Sequence, residues 1–313
     1  MNETLAISIV IPTYNRGTVL CEAIARCLNQ DHPAFEVIVV DQSPALEQPV
    51  REYLESVRSR IRYFALPEPN VSAARNFGVR QARFDIVAFI DDDLMIECDY
   101  LSCHARHYLD AKVGGVMALT IESGETKSRR ELVRLAAREY RAKVNIEDQP
   151  ALPVEWATGC NTSYRKSAII RAGWSDPAFL GCAWCEDADL AVRVRGAGYL
   201  LIFDSTFAGI HLALPRGGCG NRDVRESDRK HSERVILSLY HVAKNWKLLG
   251  LREAWERVYL TYRGFALNYT LARTDWRKMV RRQVVFLRLL SRVIGFRTGR
   301  RPALWSTSEA VPT

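Results

Sequence analysis

The sequence predicts an α/β fold, with a mostly parallel central sheet flanked by helices and a helical C-terminal extension. Three observations carry this expectation. Short β-branched apolar runs alternate with segments of helical spacing, the rhythm of right-handed parallel units. Polar residues stand directly after those runs, where sheets of this kind bind ligands. From Val235 onward the pattern is helical throughout.

Taken in order, Ile7 to Pro12 reads as a buried strand, followed by a TYNR loop, Thr13 to Arg16. Helical spacing follows from Thr18 to Asn29, through Leu20, Ile24 and Leu28. Phe35 to Val40 is a second strand, with Asp41 at its end. Pro49 to Arg60 reads as a helix and Ile61 to Leu66 as a strand. Ser72 is placed to cap a helix beginning AARN. Arg75 then falls in the first turn, where the dipole disfavours a cation unless it faces an anion. Solvent would serve that arginine equally.

The strand Ile86 to Ile90 runs into Asp91, Asp92 and Asp93. So much negative charge at the end of a buried strand is costly without a cation. Side chains alternate in extended chain, so Asp91 and Asp93 point one way and Asp92 the other. Two convergent carboxylates suit Mg2+ or Mn2+. The same triplet would also serve as a cap for the next segment.

Residues LMIECDYLSCHARHYL then read as a helix running past Asp99, and Val113 to Thr120 as a strand. Ser128 to Val144 is a basic amphipathic helix, either solvated, a lip over a ligand, or a contact with anionic lipid. Trp156 to Arg165 is a strand or turn whose glycine permits close approach. Lys166 to Trp174 is a short helix ended by Gly173. Glu186, Asp187 and Asp189 cluster ahead of an apolar helical pattern. Mutual repulsion raises at least one of their pKa values, which suits a general base; helix N-terminal acidity gives the same pattern. Tyr199 to Phe203 is a further strand, with His211 beyond it. Leu214 to His231 is a polar loop carrying Arg216 and Arg222.

IVIPTYNR, VVDQS, NVSAARNFG and FIDDD, in this order, resemble the donor half of family 2 glycosyltransferases with the GT-A fold. FLGCAWCEDADLAVR resembles the acceptor-half signature, extending the likeness over about Ile7 to His211. The resemblance implies an inverting transferase moving a sugar from a nucleoside diphosphate sugar, a UDP-sugar, to a hydroxyl of a glycan or lipid-linked acceptor. It implies donor contacts from Pro12, Thr13, Tyr14, Arg16, Asp41, Arg75, Asp91 and Asp92. Asp93 and His211 would hold Mn2+ or Mg2+, and Asp187, beside Glu186, would be the base. The family often has two acidic residues where this chain has Asp41 and Gln42. Gln42 would hydrogen-bond a base or ribose. The implied domains are 1–232 (donor half about 1–120, acceptor half about 121–232), a helical extension 233–299 and a disordered tail 300–313.

The 313 residues are 48% hydrophobic and 26% charged, enough for a sizeable core. A net charge of +8 fits anionic partners. The excess is spread out or C-terminal and no recognition motif appears, which disfavours nucleic acid. The start lacks the basic and long apolar regions of an export signal, and no apolar run spans a bilayer. The 8 cysteines offer one CxxC, Cys182 and Cys185, without the second pair that zinc needs. A phosphatase or nucleotidyltransferase on the same aspartates would need a downstream lysine or a Gly-rich phosphate loop, and neither is found. Val235 to Leu249, Leu251 to Ala272 and Trp276 to Phe296 read as helices. The last has Val280, Val284, Leu287, Leu290 and Ile294 along one side and Arg281, Arg288 and Arg292 along another. That fits an in-plane contact with anionic membrane, and equally packing on protein or a homo-oligomer. The expected location is cytoplasmic, peripheral at the inner face of the membrane.

Overall fold

The computed structural model describes residues 5–142, 149–214, 217–218 and 227–266, with Gln283, Phe286, Leu287 and Leu290. The chain divides into two compact units. One comprises Met1–Leu180 and Glu186–Arg222; the other comprises Gly181–Cys185 and Asp223–Thr313.

The first unit opens with β1 (Ile7–Thr13), α1 (Val19–Leu28), β2 (Phe35–Asp41), α2 (Gln48–Ser56), β3 (Arg62–Ala65), α3 (Val71–Gln81) and β4 (Ile86–Ile90). Its second part holds β5 (Leu94–Ile96), α4 (Tyr100–Ala105) with a 3-10 turn at Arg106–Leu109, β6 (Val113–Glu122) and α5 (Arg129–Glu139). Then come β7 (Ala151–Val154), β8 (Asn161–Arg165), α6 (Lys166–Ala172), α7 (Glu186–Gly196) and β9 (Leu200–His211). Among the described residues these strands form one nine-stranded sheet in the order β3-β2-β1-β4-β8-β6-β9-β5, with β7 also on β9. Strands β1 to β4 pair in parallel, as do β6 and β9. β8 runs antiparallel between β4 and β6, and β5 and β7 run antiparallel to β9.

The alternation of strand side chains builds two apolar layers. Ile7, Ile9 and Ile11 of β1 face one side with Leu20 and Ile24 of α1 and Val37 and Val39 of β2. Val10 faces the other with Ile38, Val40, Ala74, Val79 and Leu190. Both faces of β1 are therefore covered, which is why its sequence is an unbroken apolar run. At Gly78 of α3 an added Cβ would lie 2.3 Å from Val10 Cγ1, so glycine lets this helix sit directly on β1.

The structure departs from the sequence reading at three places. The expected helix after Asp93 is replaced at its start by β5, and α4 begins only at Tyr100. Leu94, Met95 and Ile96 are all buried, and β5 pairs with the end of β9, Leu94 opposite His211. β9 is itself longer than expected. It carries an irregularity after Asp204, pairing β7 before it and β5 beyond it. Asp204 is fixed there by Arg106 and His107, both at 2.6 Å. Finally, α3 begins at Val71 and is capped by Asn70, whose side chain accepts from Ala73 N at 2.9 Å. Ser72 lies inside the helix, and Arg75 is past its first turn.

In the second unit, α8 (Ser227–Leu249) and α9 (Leu251–Ala266) turn about Gly250, whose φ is +78°. Val235 and Leu239 pack with Val258, Tyr262 and Phe286. No helix among the described residues is long and apolar enough to cross a membrane. Arg216, Arg222, Arg281, Arg288 and Arg292 lie outside the described residues, as does the expected tail 300–313. Within the expected third helix, Phe286 is 2% exposed and Leu290 also packs inward, whereas Leu287 is exposed.

Candidate active site

The ends of β1, β2 and β4 and the far end of β9 bring their polar residues to one edge of the sheet. Thr13 Oγ1 donates to Asp92 Oδ2 at 2.6 Å, and Arg16 Nε to Asp92 Oδ1 at 2.6 Å. Both carboxylate oxygens of Asp92 are thus engaged inside the protein. Asp92 ties the loop after β1 to the acidic triplet. Burial pushes its carboxyl up to about 6, with Arg16 opposing. Asn15, at φ +52°, turns the loop back, and Tyr14 O accepts from Gly218 N at 2.8 Å.

After β4 the chain turns, Leu94 N donating to Asp91 O at 3.0 Å, and this turn, not strand alternation, brings Asp91 and Asp93 together. Together with His211 they present one ligand atom each, all within 4.8 Å of one another. Arg16 Nη1 lies 3.2 Å from Asp93 Oδ2. His211 Nε2 lies 3.2 Å from Asp93 Oδ1, and His211 Nδ1 is 3.0 Å from Glu122 Oε1. The bond to Asp93 pushes the imidazole up to about 9. Burial works against ionisation of Asp93, but His211 and Arg16 outweigh it and hold that carboxyl below its ordinary range. Asp93 Oδ1 is nevertheless buried without a well-formed hydrogen bond. Two carboxylates and an imidazole converging in this way are a donor set that fits Mn2+ or Mg2+.

Arg75 is buried and joins two halves of the site. It pairs with Glu186 and lies 3.2 Å from Asp91 Oδ1. Its guanidinium rests 5.5 Å from the centroid of Phe89. A Cβ on Gly159 would approach Arg75 Nη1 to 2.5 Å, so the glycine makes room for the guanidinium. The anions that Arg75 faces within the protein are Glu186 and Asp91. Burial pushes Glu186 up to about 7, opposed by Arg75 and reinforced by Asp187.

Asp187 is the second residue of α7 and is half-buried. Its Oδ1 accepts from Ala188 N at 2.7 Å and its Oδ2 from Gly159 N at 3.0 Å. Burial raises its pKa, against the pull of those backbone donors and Arg75. The two N–H groups fix the carboxylate while leaving lone pairs for a further proton.

Asp41 is buried at the end of β2, accepting from Tyr63 OH and Ser43 N, both at 2.8 Å. Gln42 differs from the expectation that it meets a base or ribose. Its Nε2 donates to Glu68 O at 2.5 Å and its Oε1 accepts from Asn70 N at 3.0 Å. Both ends of the amide are used to seat the start of α3. A carboxylate could not donate to the Glu68 carbonyl, which accounts for an amide at this position.

Sequence reasoning missed Glu122, Gly159 as a donor to Asp187, and Asn70. Only Asn70 carried a local signal, an N-cap residue three positions before Ala73. Glu122 and Gly159 acquire their parts through strand pairing and helix packing.

The family model described as glycosyl transferase family 2 matches residues 8–173. The chain is 29% identical over 272 residues to the succinoglycan biosynthesis protein ExoM of Rhizobium meliloti, covering 81% of this chain and 80% of that protein. Other curated glycosyltransferases match over shorter stretches, and the chain spans only 13% to 15% of their length. Among solved structures, the mannosyltransferase PcManGT from Pyrobaculum calidifontis, in complex with GDP-Man and Mn2+, superposes with a TM-score of 0.58 at 18% identity. That match covers 94% of this chain and 87% of the other. S. aureus TarS 1-349 in complex with UDP-GlcNAc gives a TM-score of 0.60 at 16% identity, covering 93% and 81%. At such identities the two structures establish a shared GT-A fold. With the family model covering more than half of its length, and with the acidic triplet and the DQ, ARN and ED segments gathered on one sheet edge, this chain belongs to glycosyl transferase family 2.

Proposed function

We propose that the protein is an inverting glycosyltransferase. It moves a sugar from a UDP-sugar to a hydroxyl of a glycan or lipid-linked acceptor. The observation that carries this reading is the grouping of Asp91, Asp93 and His211, each with one ligand atom within 4.8 Å of the others. The nucleotide-sugar complexes of both structural neighbours, one of them with Mn2+, support it, as does the polysaccharide role named for ExoM.

Asp93 and His211, with Asp91 in reach, would hold Mn2+ or Mg2+. Such an ion, when bound, neutralises the negative charge that grows on the departing diphosphate. The chain's own residues do the rest. Pro12, Tyr14 and Asp41, at the ends of β1 and β2, line the place of the base and ribose. Arg75 keeps Asp91 and Glu186 in fixed relation. Asp187, held by Gly159 and Ala188, takes the proton of the acceptor hydroxyl as it attacks the anomeric carbon opposite the leaving group. No covalent sugar–enzyme intermediate is needed, since a single displacement inverts the centre.

The test is to incubate the pure protein with a panel of nucleotide sugars and Mn2+ and to measure diphosphate release. Release from one donor, abolished by chelator, is expected. Absence of release from every donor, with either metal, would overturn the reading.

A further inference from the structure

The exposed face of α9 has no partner among the described residues and an unusual composition. Leu251, Trp255 and Tyr259 recur every four residues, which puts them in one stripe along the helix. They are 66%, 68% and 57% exposed. Leu248, at the end of α8, is also exposed. The neighbouring row of α9, about 60–100° round the helix, is packed in the second unit, where Ala254 is buried and Val258 and Tyr262 meet Val235, Leu239 and Phe286. The stripe is therefore apolar surface left over after the helix has made its core.

Charge decides what covers it. Lys244, Lys247, Arg252 and Arg263 are all exposed on this part of α8 and α9, whereas Glu256 is the one exposed acidic residue from 240 to 266. Glu253 is spent on Arg257 within the helix. A two-fold contact with a second copy would bring the same basic residues together across the interface. An anionic surface pairs with all four. Trp and Tyr favour the headgroup layer of a bilayer, where the ring is half wet and half apolar. An apolar stripe beside basic residues is the pattern of a helix lying in that layer.

We propose that the Leu251–Trp255–Tyr259 face of α9, with its flanking Lys247, Arg252 and Arg263, docks on the headgroup layer of an anionic phospholipid membrane. The assignment moves the membrane contact from the expected helix Trp276 to Phe296 onto α9. It deepens the lipid-linked acceptor reading, on which its biological sense rests, by naming the surface that would meet the lipid. The binding is reversible, because one short stripe with a few charges does not anchor permanently.

The test uses the intact chain and vesicles, and reads neither donor nor acceptor. At low salt the protein should sediment with phosphatidylcholine–phosphatidylglycerol vesicles and stay in solution with phosphatidylcholine alone. Trp255→Ser with Tyr259→Ser should weaken partitioning by about tenfold or more. Arg252→Gln with Arg263→Gln should weaken it by about fivefold per residue, and high salt should do the same. Diphosphate release should be unchanged in both variants, so a failed function reading and a failed docking reading are told apart. If the aromatic variant loses helical circular dichroism, the arginine variant, altered only at exposed positions, decides alone. An intact chain that ignores anionic vesicles at low salt would overturn the proposal. So would an arginine variant that binds as tightly as the parent. A parent dimer that the aromatic variant makes monomeric, without vesicle binding, would assign the face to a second copy.

Discussion

At the scale of single residues, the carboxylates of the site differ in what already holds them. Asp92 is consumed by Thr13 and Arg16. Glu186 is consumed by Arg75. Asp187 is held only by backbone N–H groups and is half-buried. Asp187→Asn preserves the shape and removes the basicity, so turnover should fall by about 100- to 10,000-fold with donor affinity nearly unchanged. Steady-state kinetics beside donor titration checks this. Weak donor binding with normal turnover at saturation would make Asp187 a binding residue, and Glu186 the next candidate. The ambiguity at this position was legible in the sequence, since ED before an apolar helix serves both as N-terminal acidity and as a base. The structure adds a donor that no local pattern shows, the Gly159 N–H, which reaches Asp187 from 28 residues away.

At the scale of elements, α3 carries more than its length suggests. Gln42 seats its first turn, Asn70 caps it, and Asn76 binds Ser175 through both ends of its amide. Those anchors fix Arg75 between Asp91 and Glu186. The closeness of α3 to β1 rests on Gly78, where a methyl group would meet Val10 at 2.3 Å. Gly78→Ala should therefore destabilise the protein by about 1–3 kcal/mol, the range for overpacking, despite alanine's better helix propensity. A lowered urea midpoint is the expected result; an unchanged or raised midpoint would show that the helix can move off the strand freely. The sequence showed α3 as an element but placed its cap two residues late, because Ser72 and Asn70 are both good capping types and only the backbone distinguishes them.

At the scale of the whole molecule, a ligand that binds the folded chain alone raises its stability by mass action. At about 100 times its dissociation constant, Mn2+ with a nucleoside diphosphate should add about 2.7 kcal/mol. The melting temperature should rise with both together and return to its starting value with chelator. In Asp93→Ala the Mn2+-dependent part of the rise should vanish, since one of the three grouped ligand atoms is then gone. A full Mn2+-dependent rise in that variant would remove Asp93 from the metal site. This readout is independent of turnover.

The sequence by itself determined the strands of the donor half, because a strand covered on both faces must be apolar throughout, as Ile7 to Ile11 are. It also determined which polar residues stand at the strand ends; the grouping of Asp91 with Asp93 came from the turn after β4, where alternation along extended chain does not operate. Only the tertiary structure decided that Leu94 to Ile96 is a strand. Three buried apolar residues are compatible with helix or strand, and the choice is made by the free edge of β9. The same pairing sets Leu94 opposite His211 and so brings the imidazole to Asp93 across 118 residues of chain, from 93 to 211. Tertiary packing likewise decided that Gln42 faces Glu68 and Asn70, and that Arg75 meets Glu186. Local spacing sets the direction of a side chain, and the partner it meets is set by the packing of elements distant in sequence.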